Sequence, residues 1–129
     1  MAENKIILCD TNILVEFYKN NTEIVNVLKE IGQDNLAISV VTAGEIIQGA
    51  LNKKELQQLL KDMSQLLQLN IDHSVCIAYK ELLIEYSLSH GLRVADAFIA
   101  ATALVHKCEL YTLNKKDFVF IKGLKLYSN

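Results

Sequence analysis

Two short runs, "KIILC" (5–9) and "LAISV" (36–40), are apolar almost without interruption, and each leads directly into residues at helical spacing. A strand with no polar alternation has to be covered on both faces, as in a parallel sheet. The covering helices are legible too. In "NNTEIVNVLKEIG", Ile24, Val27, Leu28 and Ile31 keep one face until Gly32, a predicted C-terminal cap. "VTAGEIIQGAL" places Ile46, Ile47 and Ala50 on one face, and "KKELQQLLKDMSQLLQLNI" spaces Leu56, Leu59, Leu60, Met63 and Leu67 as a helix that gives way to a short strand near "LLQLN". "SVCIAYKELLIEYSLSHG" predicts a long helix ended by Gly91, and "VADAFIAATALVHK" another whose Ala97, Ile99, Ala100, Ala103 and Leu104 permit close packing. "ELYTL" and "LKLYS" read as short closing strands. Strands alternating with helices predict an α/β fold with a mainly parallel sheet of about five strands.

The chain of 129 residues suits a single domain, 1–129, with a substantial core. Its apolar stretches are far shorter than the roughly 20 residues of a membrane span. "MAENKI" has no long apolar region behind it, so no secretory leader is expected and the cytoplasm is the expected compartment. Cys9, Cys76 and Cys108 are odd in number and far apart, which predicts reduced, mostly buried thiols and no zinc site. A net charge of −2 argues against sequence-blind attraction to phosphate, although five lysines (Lys107, Lys115, Lys116, Lys122, Lys125) face only Glu109 and Asp117 after Val105.

In an open α/β sheet, ligands sit at the carboxyl ends of the strands. Four acids fall there: Asp10 after the first strand, Glu45 a helical turn beyond the second, Asp96 opening the alanine-rich helix, and Asp117 after "ELYTL". Each has an ordinary alternative, since Asp10 and Asp96 can cap helices and Asp117 can serve a turn. Glu45 is the hardest to dismiss, because a glutamate on a mostly apolar helix face needs a partner if it is buried. If the four converge, their repulsion calls for protons or a cation, and an oxygen-only donor set favours Mg²⁺ or Mn²⁺. Such a site can activate water and stabilise a phosphodiester during in-line displacement. Thr11, Asn12, Ser39, Thr42, Thr112 and Asn114 lie beside the acids and can hold water, metal or a carboxylate, or act as turn and cap residues.

Four blocks, "LCDTNILVEF", "ISVVTAGEIIQGA", "RVADAFIAATAL" and "LYTLNKKDF", span nearly the whole chain in an order that resembles a PIN domain, and at this length the VapC toxins of type II toxin–antitoxin pairs. The resemblance implies a three-layer α/β/α fold and a metal-dependent ribonuclease, with Asp10, Glu45, Asp96 and Asp117 as catalytic and metal-binding acids and Thr11, Asn12, Thr112 and Asn114 around them. It also implies an RNA substrate, a homodimer, and a cognate VapB-like antitoxin whose C-terminal segment lies over the acidic groove. Arg93, Lys115 and Lys116 are candidates for RNA phosphate contacts. A PIN nuclease serving RNA processing, and a noncatalytic binding domain whose acids only cap helices, are the competing readings. His73, His90 and His106 are scattered and predicted to be uninvolved. Phe17, Tyr18, Tyr79, Tyr86, Phe98 and Phe118 are expected mostly in the core, with Tyr18 or Tyr127 available to stack a base.

Overall fold

The structure, a computed structural model, describes residues 5–128; the segment on which the leader reading depends begins outside them, at 1–4. Four strands form the sheet: β1 (Ile7–Cys9), β2 (Leu36–Ser39), β3 (Leu67–Leu69) and β4 (Glu109–Tyr111). All pair in parallel in the order β3-β2-β1-β4. Six α-helices connect them: α1 (Thr11–Tyr18), α2 (Thr22–Ile31), α3 (Val40–Gln48), α4 (Lys53–Met63), α5 (His73–His90) and α6 (Val94–Val105). Among the described residues, no helix is long and apolar enough to cross a membrane.

Strand alternation sorts the side chains into two layers of core. Leu8, Ala37 and Leu110 point to one face, where α5 and α6 supply Val75, Leu82, Ala97, Ile99 and Ala100. Ile7, Cys9, Leu36 and Tyr111 point to the other, against Ile13 of α1 and Ile24, Val27 and Leu28 of α2. Ile38 extends that face to Leu14, Ile46, Leu59 and Met63. The result is the predicted three-layer arrangement. Ala97, Ala100, Ala101 and Ala103 have no exposed surface, because side chains this small bring α6 close to both the sheet and α5. Helix ends follow the local chemistry: Asp72 accepts a hydrogen bond from the Val75 amide at 2.9 Å, and Gly91 ends α5 at a left-handed φ of 68°.

Several expectations need correction. "LKLYS" is not a fifth strand: it makes a single bridge, Leu110 to Leu126, closed by Leu110 N–H on the Lys125 carbonyl and Tyr127 N–H on the Leu110 carbonyl. β4 is only three residues long, which leaves room for one such pair of bonds. Of the six aromatics expected in the core, Phe118 is buried, Phe17 is exposed, and the other four are half-buried at helix faces. Tyr79 and Phe98 stack at 3.7 Å between α5 and α6. Cys9 is buried and its thiol pushed up to about 12, chiefly by burial, but Cys76 lies exposed on α5. Ile47 is also more exposed than its assigned face implied, because Ile46 alone turns inward from that pair.

Candidate active site

The strand order runs outward from β1 through β2 to β3, then returns so that β4 lies on the other side of β1. The carboxyl ends of β1 and β4 therefore form the crevice where such sheets bind ligands. Asp10 follows β1 directly and starts α1, where its Oδ1 accepts the Thr11 amide at 2.7 Å. Its Oδ2 accepts the Thr112 hydroxyl at 2.8 Å and the Asn12 amide at 3.3 Å. A carboxylate buried to 6 % exposure is thus held by donors from both sides of the crevice. Asn12 adds a second tie, its Oδ1 accepting the Leu113 amide at 3.2 Å. Asp10 is a cap, as the ordinary reading had it, and one of its oxygens also spans two strands.

Glu45 reaches the same edge from α3. It is exposed, and its carboxylate accepts the Thr11 hydroxyl at 2.6 Å. Burial, the premise for singling it out, does not hold; the Thr11 bond fixes it instead. Behind Thr11, the Thr42 hydroxyl oxygen lies at 3.1 Å, and buried Ser39 accepts the Thr42 amide at 3.0 Å. Asp96 occupies the first turn of α6, whose cap position is Arg93 without a side-chain bond. The capping reading of Asp96 therefore fails: the residue lies inside the helix. Asp117 ends a single 3₁₀ turn, Lys115–Asp117. Asn114 contributes through its backbone, its amide donating to the Thr112 hydroxyl at 3.0 Å.

The four carboxylates lie within electrostatic reach of one another. Burial lifts Asp10 above its ordinary range, hydrogen bonds from Thr112 and Thr11 pull it back, and the charges of Glu45 and Asp117 lift it again. Burial, then Asp10, Asp117 and Glu45, raise Asp96 to about 6 against the opposing pull of Arg93. Among the described residues the ion pairs, Lys5 with Glu109 and Lys19 with Glu16, involve none of the four. Among the described residues no three His, Cys, Asp or Glu side chains form a group that could hold a metal ion as they stand. Arg93, Lys115 and Lys116 are exposed near this edge. The histidines stand apart from the acids, His106 bonding the Asn70 carbonyl and His90 stacking on Phe120.

Thr112 is the pin of the arrangement, donating to Asp10 and accepting from Asn114. Thr112→Val keeps its shape and removes all three of its hydroxyl bonds, including the one accepted from the Asn12 side-chain amide at 3.4 Å, at a buried position, so a loss of about 1–3 kcal/mol in unfolding free energy is expected. Urea melts measure it; an unchanged midpoint would show that water replaces the hydroxyl.

A family model described as "PIN domain" matches residues 7–122. Ribonuclease VapC1 of Methanocaldococcus jannaschii is 33% identical over 130 residues, covering 97% of this chain and 89% of that protein. Among solved structures, a toxin–antitoxin complex from Klebsiella pneumoniae contains a chain with TM-score 0.79 and 33% identity, covering 95% of this chain and 99% of that one. VapBC2 from Rickettsia felis, bound to a DNA fragment from its promoter, matches with TM-score 0.78 and 28% identity, over 95% and 97% of the two chains. Strand order, the acidic crevice and these matches agree: the chain belongs to the PIN domain family.

Proposed function

We propose that this protein is a metal-dependent endoribonuclease of the VapC toxin class, restrained by a cognate antitoxin. The observation that carries the reading is that Asp10 and Asp96 are both raised by neighbouring acids, Asp10 by Glu45 and Asp117 and Asp96 by Asp10, Asp117 and Glu45, at the sheet's switch point, with none of the four ion-paired among the described residues. The similarity to a ribonuclease and to chains of toxin–antitoxin complexes supports the substrate and the partner.

The donors suit a hard divalent cation such as Mg²⁺ or Mn²⁺: all are oxygens, and the excess negative charge needs compensation. Asp10, Asp96 and Glu45 would hold the ion, with Asp117 completing the set or orienting water. Such an ion supplies Lewis-acid chemistry to water and to the scissile phosphate. The chain does the rest: Thr112, Asn12 and the Thr11 amide fix the Asp10 carboxylate, and the Thr11 hydroxyl fixes Glu45. With the four acids neutralised, the formal charge of −2 becomes +2, so the surface no longer repels RNA. Arg93, Lys115 and Lys116 are placed to meet backbone phosphates.

Purified protein incubated with total RNA and a panel of defined RNAs tests the reading. Cutting in Mg²⁺ or Mn²⁺ and none in chelator is the expected result; cutting that ignores chelator would exclude metal dependence. For the antitoxin, a groove of about 450 Å³ between α1, α2 and α4, lined by Leu14, Phe17, Tyr18, Val25, Leu28 and Leu66, provides an apolar seat. A second copy has its own candidate face on α5, where Ile77, Ile84 and Leu88 lie seven and four residues apart and are exposed, Leu88 by 99 %. Ile84→Lys with Leu88→Lys is expected to convert a dimer to a monomer in sedimentation; a dimer that survives both would place the interface elsewhere.

A further inference from the structure

Beside the acidic crevice, on its β4 side, lies a cavity of about 510 Å³ whose lining includes Glu23, Tyr111, Thr112, Lys115, Lys116 and Tyr127. Its volume is within the usual range for a small-molecule site. Thr112 belongs to both places, since its hydroxyl holds Asp10. A polynucleotide cut at the acids therefore has this cavity as the next stop for one flanking nucleotide.

The walls match a nucleotide in kind. Tyr127 stands edge to face on buried Tyr111, with ring centroids 5.2 Å apart, and its own ring is half-exposed. Its backbone is anchored to β4 by a 2.8 Å bond to the Leu110 carbonyl. An aromatic ring fixed in this way is a stacking platform for a base. Lys115 and Lys116 supply charge for phosphate, and Lys115 Nζ lies 3.2 Å from the Ser128 hydroxyl of the same terminal segment. Glu23, exposed in the first turn of α2, is an acceptor-only group at the rim.

We propose that this cavity is a nucleobase subsite for the RNA residue next to the scissile phosphate, and that Glu23 selects guanine there. Guanine presents two adjacent donors on its Watson–Crick edge, which match the two oxygens of one carboxylate. Uracil flanks its single donor with acceptors that a carboxylate repels, and adenine and cytosine offer one donor group beside an acceptor. Tyr127 stacks the base, and Lys115 and Lys116 take its phosphate. The proposal rests on reading the acidic crevice as a phosphodiester-cleaving site.

The test uses fluorescence anisotropy with labelled hexauridylate and the same RNA carrying one guanosine, adenosine or cytidine, bound to the Asp96→Asn protein in Mg²⁺. The guanosine RNA is expected to bind about tenfold tighter than hexauridylate. Glu23→Gln in that background presents one acceptor and one donor, so the preference is expected to move from guanosine to adenosine and cytidine, each of which offers a donor beside an acceptor. A stability effect alone would not produce that shift. Tyr127→Ala is expected to weaken all four RNAs by roughly five- to tenfold. Equal affinity for the four RNAs, or a guanosine preference indifferent to Glu23→Gln, overturns the proposal. Cleavage by the parent protein is scored in parallel: guanosine-selective binding without cutting in Mg²⁺ or Mn²⁺ would overturn the nuclease reading and with it the placement beside a scissile phosphate, and leave only the guanine selectivity of the cavity.

Discussion

Asp96→Asn and Asp10→Asn are each expected to lower RNA cleavage by more than about a hundredfold, because even partners outside the ligand set of a metal site cost 10–100-fold when removed. The two variants are expected to part company in stability. Asp96 makes no capping bond, and its carboxylate is raised by burial and three neighbouring acids. Neutralising it relieves repulsion, so the metal-free Asp96→Asn protein is expected to melt above the parent. Asp10 accepts three hydrogen bonds, and an asparagine cannot accept them all. Its variant is expected to melt at or below the parent. Paired cleavage assays and thermal melts in chelator check both statements. A loss of about 1 kcal/mol at Asp96, as for a deleted cap, would return that residue to a structural role.

Metal-free protein is expected to lose stability as the pH rises from about 4 to about 6. Asp96 carries its proton up to about 6 when folded, against an ordinary value of 3.8, so the folded chain binds the proton more tightly than the unfolded one. Below both values the group is neutral in either state and costs nothing. Through the window the folded state holds more protons, and stability falls with each increment of pH; above it both states are charged and the loss is complete. Asp10, raised in the same direction, adds to the slope. Added Mg²⁺ is expected to restore stability chiefly above about pH 6, where the carboxylates are bare. Urea melts from pH 4.5 to 7.5, with chelator or Mg²⁺, measure this. A stability that climbs across the window, or a slope undiminished in Asp96→Asn, would contradict it.

Much of this was legible in the residues. "KIILC" and "LAISV" had no polar face to leave in solvent, and they became strands buried on both sides. Gly32 and Gly91 marked helix ends because positive φ is easy only for a residue without Cβ. Asp10, Glu45 and Asp117 were singled out because each follows a strand whose end lies at one edge of the parallel sheet. What stayed hidden depended on contacts between distant segments. Thr112 and Asn12 were readable equally as carboxylate holders and as turn residues, and strand pairing decided between the two by making them hydrogen-bond ties across the crevice. Glu45 was singled out on burial it does not have, since helical spacing does not reveal how far a face turns toward solvent. Glu23 carried no local signal, as acids are common in a helix's first turn. The Tyr111–Tyr127 pair needed the terminal bridge to bring its rings together.

The bond between Asp10 and Thr112 joins residues 102 positions apart in the chain. A ribosome adding roughly 5–20 residues per second needs about 5–20 seconds to pass from one to the other. Throughout that interval the nascent chain has its first acid but neither the hydroxyl that holds it nor Asp117. In the proposed nuclease the acidic crevice therefore cannot assemble until Thr112 and Asp117 have followed Asp10 out of the ribosome.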